Sequence, residues 1–429
     1  MPDYTNECNV ANRTIFCNDN LEVLGGINSE SIDLIYLDPP FNKNKKFTAP
    51  LGSSAEGAEF SDIFREEDVK AEWLQTIKED QPELHHYLNG IKGVGKHYNF
   101  AYLAYLAIRL IECQRILKQT GSLYLHCDPT MSHYLKTTMD CIFGEENFRN
   151  EIVWCYKGPG KVTKYFKRKH DIVLFYAKSK NSVFNQDEVR VPYHTATLNR
   201  RRYAEGDKGI IKAPSGRSLG QVASQFGAGQ IPEDWWTEFP SGGQMSKSER
   251  TGYPTQKPLA LLERLIQASS NAGDMVLDPF CGCATTCIAA ERLGRQWIGI
   301  DVSHKAYELV KERLNKEVAR PEELFGEEVH FTTKRPLRLG ESVIELKHVY
   351  VISHPNYPGE FKVGIAKDVK ARLNSYQTSD PDRRFQLEYS RQTPHFRELE
   401  TYIHQQFENK HEWVLGQLDD IKSEIDNFE

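Results

Sequence analysis

The 429-residue chain has no run of about 18 apolar residues, so no membrane-crossing helix is expected. Its first dozen residues hold acids and no apolar core, and no secretory signal is expected there. The nine cysteines are odd in number and irregularly spaced, without a Cys-x-x-Cys pair. They read as reduced thiols of a cytoplasmic protein and exclude a disulfide framework. Cys281, Cys283 and Cys287 lie close together, but no histidine cluster accompanies them, so no zinc site is expected. A basic excess is missing too. The net charge is −6, so nucleic acid could be held only through a local patch. There is no Gly-x-Gly-x-x-Gly, which excludes the dinucleotide fingerprint.

What is present suffices for proper cores: 39% of residues are hydrophobic and 11% aromatic. The length predicts two or three domains. Thr14–Cys17 reads as a strand, with Asn18-Asp19-Asn20 starting a short helix. Ile32–Leu37 is an apolar run, broken only by Asp33, of the length and branching of a buried parallel strand. It stops at Asp38-Pro39-Pro40-Phe41. Neither proline can donate to a sheet ladder, so the chain must turn outward there. The turn leaves a carboxylate, free backbone carbonyls and a flat ring at the carboxyl end of a strand, where open α/β sheets bind ligands. A long excursion, 42–99, follows and reads as a flap over that mouth. A helix over Tyr102–Lys118, a strand over Ser122–His126 and a helix through Ile142 come next, then paired strands at Ile152–Trp154 and Ile172–Tyr176.

Between those paired strands, Tyr156 to His170 contains no acid and carries Lys161, Lys164, Lys167, Arg168 and Lys169. Arg200, Arg201 and Arg202 form a second basic cluster, and Tyr165, Phe166 and Tyr203 sit among these charges. Lysine and arginine beside aromatics is the composition of a phosphate-contacting DNA surface. Further on, Thr255-Gln256-Lys257-Pro258 precedes an amphipathic helix. A strand then runs into Asp278-Pro279-Phe280-Cys281-Gly282-Cys283-Ala284-Thr285, followed by a helix and a strand ending at Asp301. Strand, small-residue turn, helix, strand and acid make a nucleotide-type βαβ unit.

Asp38-Pro39-Pro40-Phe41 resembles the signature of the DNA amino-methyltransferases, and Asp278-Pro279-Phe280-x-Gly282 resembles their S-adenosylmethionine motif. The resemblance covers about residues 12–318, with the catalytic motif before the cofactor motif, as in the β class that includes type III modification subunits. It implies an α/β, Rossmann-like S-adenosylmethionine-dependent methyltransferase with circularly permuted motif order. A target-recognition region would be inserted at about 155–250. By that resemblance Asp38 and the Pro39 carbonyl hold the target amine, with Phe41 stacked on a base swung out of double-stranded DNA. Asp278, Pro279, Phe280, Gly282 and Thr285 face the methionine end of the cofactor, as do Thr255, Gln256 and Lys257. Asp19 lies near its adenine and Asp301 suits the ribose. Aspartate at 38 leans to adenine N6, with cytosine N4 the alternative. A restriction–modification system is the expected setting, and the resemblance allows a homodimer. An RNA or protein methyltransferase fits less well with so large a basic insert.

Residues 319–345 are charged and contain proline and glycine, as a linker would. The tail, 346–429, resembles the GIY-YIG endonucleases, a small α/β fold, through Tyr350, Lys362-Val363-Gly364, Arg372 and Glu400. There the resemblance implies that Tyr350 activates water with Lys362 in the second triplet, that Arg372 neutralises phosphate, and that Glu400 holds a divalent metal such as Mg2+. A DNA-binding or nuclease protein with vestigial methyl transfer is the competing reading of the whole chain.

Overall fold

The structure, a computed structural model, describes residues 7–50, 52–53, 55–158, 162, 164–192, 230–317, 328–339, 347–366, 369–377, 380–393, 395–410 and 412–428. Lys161 and Arg200, Arg201 and Arg202 lie outside the described residues. The chain divides into two units, Met1–Gly340 and Glu341–Glu429.

The first unit begins with β1 (Thr14–Cys17), α1 (Asn20–Gly26), β2 (Ile32–Leu37) and a hairpin of β3 (Lys45–Thr48) and β4 (Glu59–Asp62). Helices α2 (Ala71–Asp80), α3 (Pro82–Gly93) and α4 (His97–Ile116) lead into β5 (Leu117–Cys127), α5 (Ser132–Phe143), β6 (Phe148–Cys155) and β7 (His170–Ala177). Then come β8 (Trp235–Trp236), α6 (Leu259–Ser269), β9 (Met275–Asp278), α7 (Thr285–Arg292), β10 (Gln296–Asp301), α8 (His304–Glu317) and β11 (His330–Thr332). Nine strands form one sheet in the order β11-β1-β10-β9-β2-β5-β7-β6-β8. The six from β11 to β5 are parallel, and β7 runs antiparallel to both β5 and β6.

Every residue of β2 is buried, as a parallel strand covered on both faces must be. Val23 and Leu24 of α1, Leu103 and Leu106 of α4 and Leu135 of α5 join one buried cluster. Leu261 and Leu265 of α6, Ile288 of α7 and Val310 of α8 join the other. Each such side chain contributes roughly 1.5–3 kcal/mol relative to exposure. Asp33, the acid inside β2, is not an intrusion. Its Oδ2 accepts the Met275 N–H at 2.9 Å and pairs with Lys118 at 2.9 Å, tying β2 to the strands on either side.

Three local readings of the sequence change. The helix expected over Tyr102–Lys118 spans His97–Ile116, because Leu117 already pairs with Ile32 as the start of β5. Gly121 lies inside β5, where a Cβ would come within 2.9 Å of the Asp33 carbonyl. The 42–99 excursion is a hairpin followed by α2 and α3, whose Ile77, Leu84 and Leu88 are wholly buried in the main core. Within the expected linker, His330–Thr332 adds an edge strand parallel to β1.

The second unit holds a five-stranded sheet, order β14-β12-β13-β16-β15. Its strands are β12 (Lys347–Ser353), β13 (Glu360–Ala366), β14 (Gln386–Thr393), β15 (Asn409–Lys410) and β16 (Trp413–Leu415). Three helices accompany them: α9 (Val369–Gln377), α10 (Phe396–Gln406) and α11 (Leu418–Asn427). Val349, Val363, Leu399, Ile403 and Ile421 form its core.

Candidate active site

Strands β1, β10, β9 and β2 are consecutive neighbours and parallel, so their carboxyl ends share one edge. At that edge β10 ends on Asp301 and β9 on Asp278, while Asp38 follows β2 and Asp19 follows β1. Four acids thus converge from positions far apart in sequence. They open on one cavity of about 800 Å³, which all four residues of the Asp38–Phe41 turn and all ten expected cofactor residues line.

The Asp38–Phe41 turn is braced from behind by Asp62, a residue that spacing did not single out. Its buried carboxylate accepts the backbone N–H groups of Phe41 at 3.2 Å, Asn42 at 2.6 Å and Lys43 at 2.9 Å. Asn42 and Asn44 take positive φ of 58° and 53°, folding successive N–H groups around that carboxylate. Burial pushes the Asp62 carboxyl up even against these three donors. Phe41 stacks on His126 with ring centroids 5.7 Å apart and planes at 28°. His126 is held in turn: Nδ1 lies 2.9 Å from the Tyr36 hydroxyl and Nε2 3.4 Å from Asp171 Oδ2. Burial raises the Asp171 carboxyl, but the His126 hydrogen bond and nearby positive charge outweigh it and hold it low. The ionised Asp171 carboxylate is an acceptor for Nε2–H, and Nδ1 shares a hydrogen bond with the Tyr36 hydroxyl. The ring beneath Phe41 is fixed on both sides.

Lys257 joins the two halves of the site. Its buried ammonium pairs with Asp38 Oδ2 at 2.5 Å, donates to the Thr255 carbonyl at 3.2 Å and lies 5.2 Å from the Phe41 ring centroid. Thr255 presents that carbonyl from φ 64°, which for a β-branched residue costs about 1–3 kcal/mol. Gln256 faces its own loop, accepting from Thr251 N and Oγ1 and donating to the Glu249 carbonyl, all at 2.8 Å.

On the other side Asp278 Oδ1 accepts the Phe280 N–H at 3.0 Å and Oδ2 accepts the Thr286 hydroxyl at 2.5 Å. Asp301 Oδ2 accepts the Gly282 N–H at 2.9 Å, and Oδ1 that of Ser303 at 2.8 Å. Both carboxyls are raised by burial, Asp278 to about 7 and Asp301 to about 6. Gly282 sits at φ 50°, and a Cβ there would meet the Tyr253 ring at 2.9 Å. Ala284 adopts φ 58°, ψ 34°, a left-handed cost of about 1–2 kcal/mol. Thr285 Oγ1 accepts from buried Arg313 at 3.3 Å. Asp19 caps α1 through the Leu21 N–H at 2.8 Å and pairs with buried Arg109 at 2.9 Å. Arg109 also donates to Asn20 at 2.6 Å, and Asn20 to the Pro279 carbonyl at 2.8 Å. Arg109 and Asn20 thereby tie α4 and α1 to the Asp278–Gly282 turn.

The Asp38–Phe41 turn and the small-residue turn after Asp278 thus open on one cavity. The family model described as DNA methylase matches residues 32–312. The chain belongs to the DNA methylase family. Among curated relatives, this DNA methylase is 29% identical to the Type II methyltransferase M.HpaI of Haemophilus parainfluenzae, over 80% of this chain and 85% of that one. It is 28% identical to the DNA adenine methyltransferase YhdJ of Escherichia coli, over 71% of this chain and 83% of that one. Among solved structures, a complex of M1.HpyAVI with SAM is 20% identical, covering 70% of this chain and 98% of that one, with a TM-score of 0.39.

Of the basic residues expected on DNA, Lys164, Lys167, Arg168 and Lys169 lie in the loop between β6 and β7, the first three exposed. The tail of the DNA methylase matches the T5orf172 domain over residues 347–428, where the sequence resemblance had pointed to GIY-YIG endonucleases. The expected tail residues do assemble. The buried Tyr350 hydroxyl lies 2.9 Å from that of Tyr376 and accepts from Arg372 Nε at 3.2 Å. Burial and Tyr376 push its phenol up to about 12, with Arg372 opposing. Lys362 pairs with Glu412 at 2.6 Å and lies 4.6 Å from the Tyr376 ring centroid. Glu400 is half-buried, its carboxyl raised by burial, and His404 and Glu412 are near enough for their charges to act on it. Gly364 pairs across the strands with Tyr350 and leaves room for its hydroxyl, which would lie 2.6 Å from a Cβ.

Proposed function

We propose that this DNA methylase transfers a methyl group from S-adenosylmethionine to adenine N6 at a specific DNA site, within a restriction–modification system. The carrying observation is the shared cavity: the Asp38–Phe41 turn and the Asp278–Gly282 turn leave strands β2 and β9, which are hydrogen-bonded neighbours. Aspartate rather than serine at position 38 supports adenine, and one relative is named a DNA adenine methyltransferase. The cavity fits the cofactor in two respects. Gly282 keeps the backbone open to a close ligand, and the buried acids Asp278 and Asp301 complement a cationic sulfonium.

When bound, S-adenosylmethionine supplies an electrophilic methyl group on sulfur. Asp38 and the Pro39 carbonyl accept the two amine hydrogens, which localises the nitrogen lone pair that ring conjugation otherwise delocalises. Phe41, seated on His126, fixes the plane of the extrahelical base. Asp62 and Lys257 hold the turn and its carboxylate in place, so the work is orientation and preorganised charge, with no covalent enzyme intermediate. Asp278, Asp301 and Gly282 would hold the cofactor's methionine and ribose ends. Purified protein incubated with DNA and the methyl donor should yield N6-methyladenine on nucleoside analysis. N4-methylcytosine would overturn the choice of base.

A second reading concerns the tail, as a metal-dependent DNA nuclease. The Tyr350–Arg372–Tyr376 cluster beside Lys362, Glu412 and Glu400 favours it. Among the described residues no group of three His, Cys, Asp or Glu could hold a metal. A Mg2+ ion would therefore take Glu400 as its protein carboxylate, with water and phosphate oxygens completing the shell. The nearby buried Nδ1 of His404, without a hydrogen-bond partner, is a polar atom such an aqueous shell would satisfy. Mg2+-dependent nicking that disappears in Glu400→Ala while methylation persists supports this reading; nicking that survives the substitution removes it.

A further inference from the structure

The loop between β6 and β7 has a feature that phosphate contact leaves unexplained. Phe166 is 96% exposed, the highest value among the described large hydrophobic residues, and its neighbour Tyr165 is 65% exposed. A phenylalanine ring held in water at that level has no part in folding the unit, and its flanks are Lys164, Lys167, Arg168 and Lys169. The Arg168 guanidinium lies 5.6 Å from the Tyr165 ring centroid.

The position of the loop is set by the sheet. β7 runs antiparallel to β5, so its first residues stand at the edge where β5 and β2 end. β6 runs antiparallel to β7 and ends at that same edge. Tyr156 and Asp171, the residues at the two roots of the loop, both line the active-site cavity. The roots are joined by the Tyr156 N–H donating to the Lys169 carbonyl at 2.9 Å and by the Tyr156 hydroxyl donating to Asp171 at 3.2 Å. The charge of Arg168 reaches Lys43, which also lines the cavity. An exposed apolar ring is therefore carried on a cationic loop whose two roots line the active-site cavity.

We propose that Phe166 is a wedge that enters the DNA duplex and occupies the space vacated by the extruded target base. The partner follows from the chemistry: four cations suit a polyanion, and a bare ring among them suits the apolar gap between stacked base pairs. The inference rests on the proposed capture of an extrahelical base, and wild-type methylation of a fully paired duplex reports on that reading separately.

The test uses the full chain and two short duplexes carrying the site the enzyme modifies. One is fully paired. The other has an abasic position opposite the target base, which makes extrusion cheap. Phe166→Ala lowers kcat/KM on the paired duplex by roughly tenfold or more, but by less than about threefold on the abasic one. Phe166→Trp restores the paired rate. On a duplex with 2-aminopurine as the target base, the fluorescence rise on binding is reduced in Phe166→Ala. Lys167→Ala instead weakens binding equally on both duplexes and lowers the salt dependence. An equal loss in Phe166→Ala on the two duplexes, or no loss on either, overturns the wedge.

Discussion

Replacing Asp38 by alanine removes two things at once, and the geometry separates them. The first is the proposed acceptor for the target amine. A hydrogen bond to a charged group is worth about 1.5–3 kcal/mol, which at about 1.4 kcal/mol per decade lowers kcat by roughly 10- to 150-fold before misorientation adds to it. The second is the partner of Lys257, a buried ammonium that pairs with Asp38 at 2.5 Å and would keep, among the described residues, the Thr255 carbonyl at 3.2 Å. An orphaned buried donor costs about 1–3 kcal/mol, or roughly 1–4 °C of melting temperature for a unit of this size. Asp38→Asn keeps an acceptor oxygen for Lys257 and should recover most of the stability while still losing rate. Calorimetric cofactor binding should stay within a few-fold of wild type in both variants, because the Asp278–Gly282 turn is braced by Asp301 and Thr286 instead. Loss of cofactor binding together with activity in Asp38→Asn would refute the reasoning and make the acid structural.

Asp62→Ala orphans the N–H groups of Phe41, Asn42 and Lys43, so methylation should fall at least tenfold while cofactor binding holds; unchanged kinetics would mean the turn is rigid without it. Gly282→Ala drives a Cβ into Tyr253 and should weaken cofactor binding more than tenfold by calorimetry, with wild-type affinity contradicting the close approach. Asp278 gives a pH dependence. Its folded value, about 7, lies above the unfolded 3.8, so its contribution to stability is full below about 4 and is lost as pH rises through 7. The melting temperature of the cofactor-free protein should therefore fall between pH 5 and 8 less steeply in Asp278→Asn than in wild type; equal slopes would refute the assignment.

Much of the site was legible because its signals are local. Asp38-Pro39-Pro40-Phe41 and Asp278–Gly282 each end a buried run with residues that cannot continue a strand, and the strand ends place them at one edge. The supports were not legible. Asp62 acts on N–H groups 19 to 21 residues away, and the Tyr36–His126 contact spans 90 residues. Such pairs follow from strand order, which no short spacing encodes. Lys257 belongs to the stretch that the resemblance assigns to the cofactor, and its ammonium also meets Asp38 across 219 residues, a contact that no local motif encodes. Ala284 marks a further limit. A left-handed conformation is held there without glycine, because the Asp301 carboxylate accepts the Gly282 N–H and the Cys281 carbonyl accepts the Ala284 N–H. In the tail the strand over Gln386–Thr393 is not legible in the sequence, since its largely polar residues carry little apolar pattern.

The most direct test of methyl transfer at this cavity is modified-base sequencing of DNA from cells expressing either the wild type or Asp38→Ala. N6-methyladenine at one short motif with the wild type, and none with the variant, is the expected result. The same mark in both, or no modified base in either, would contradict a methyltransferase built on Asp38.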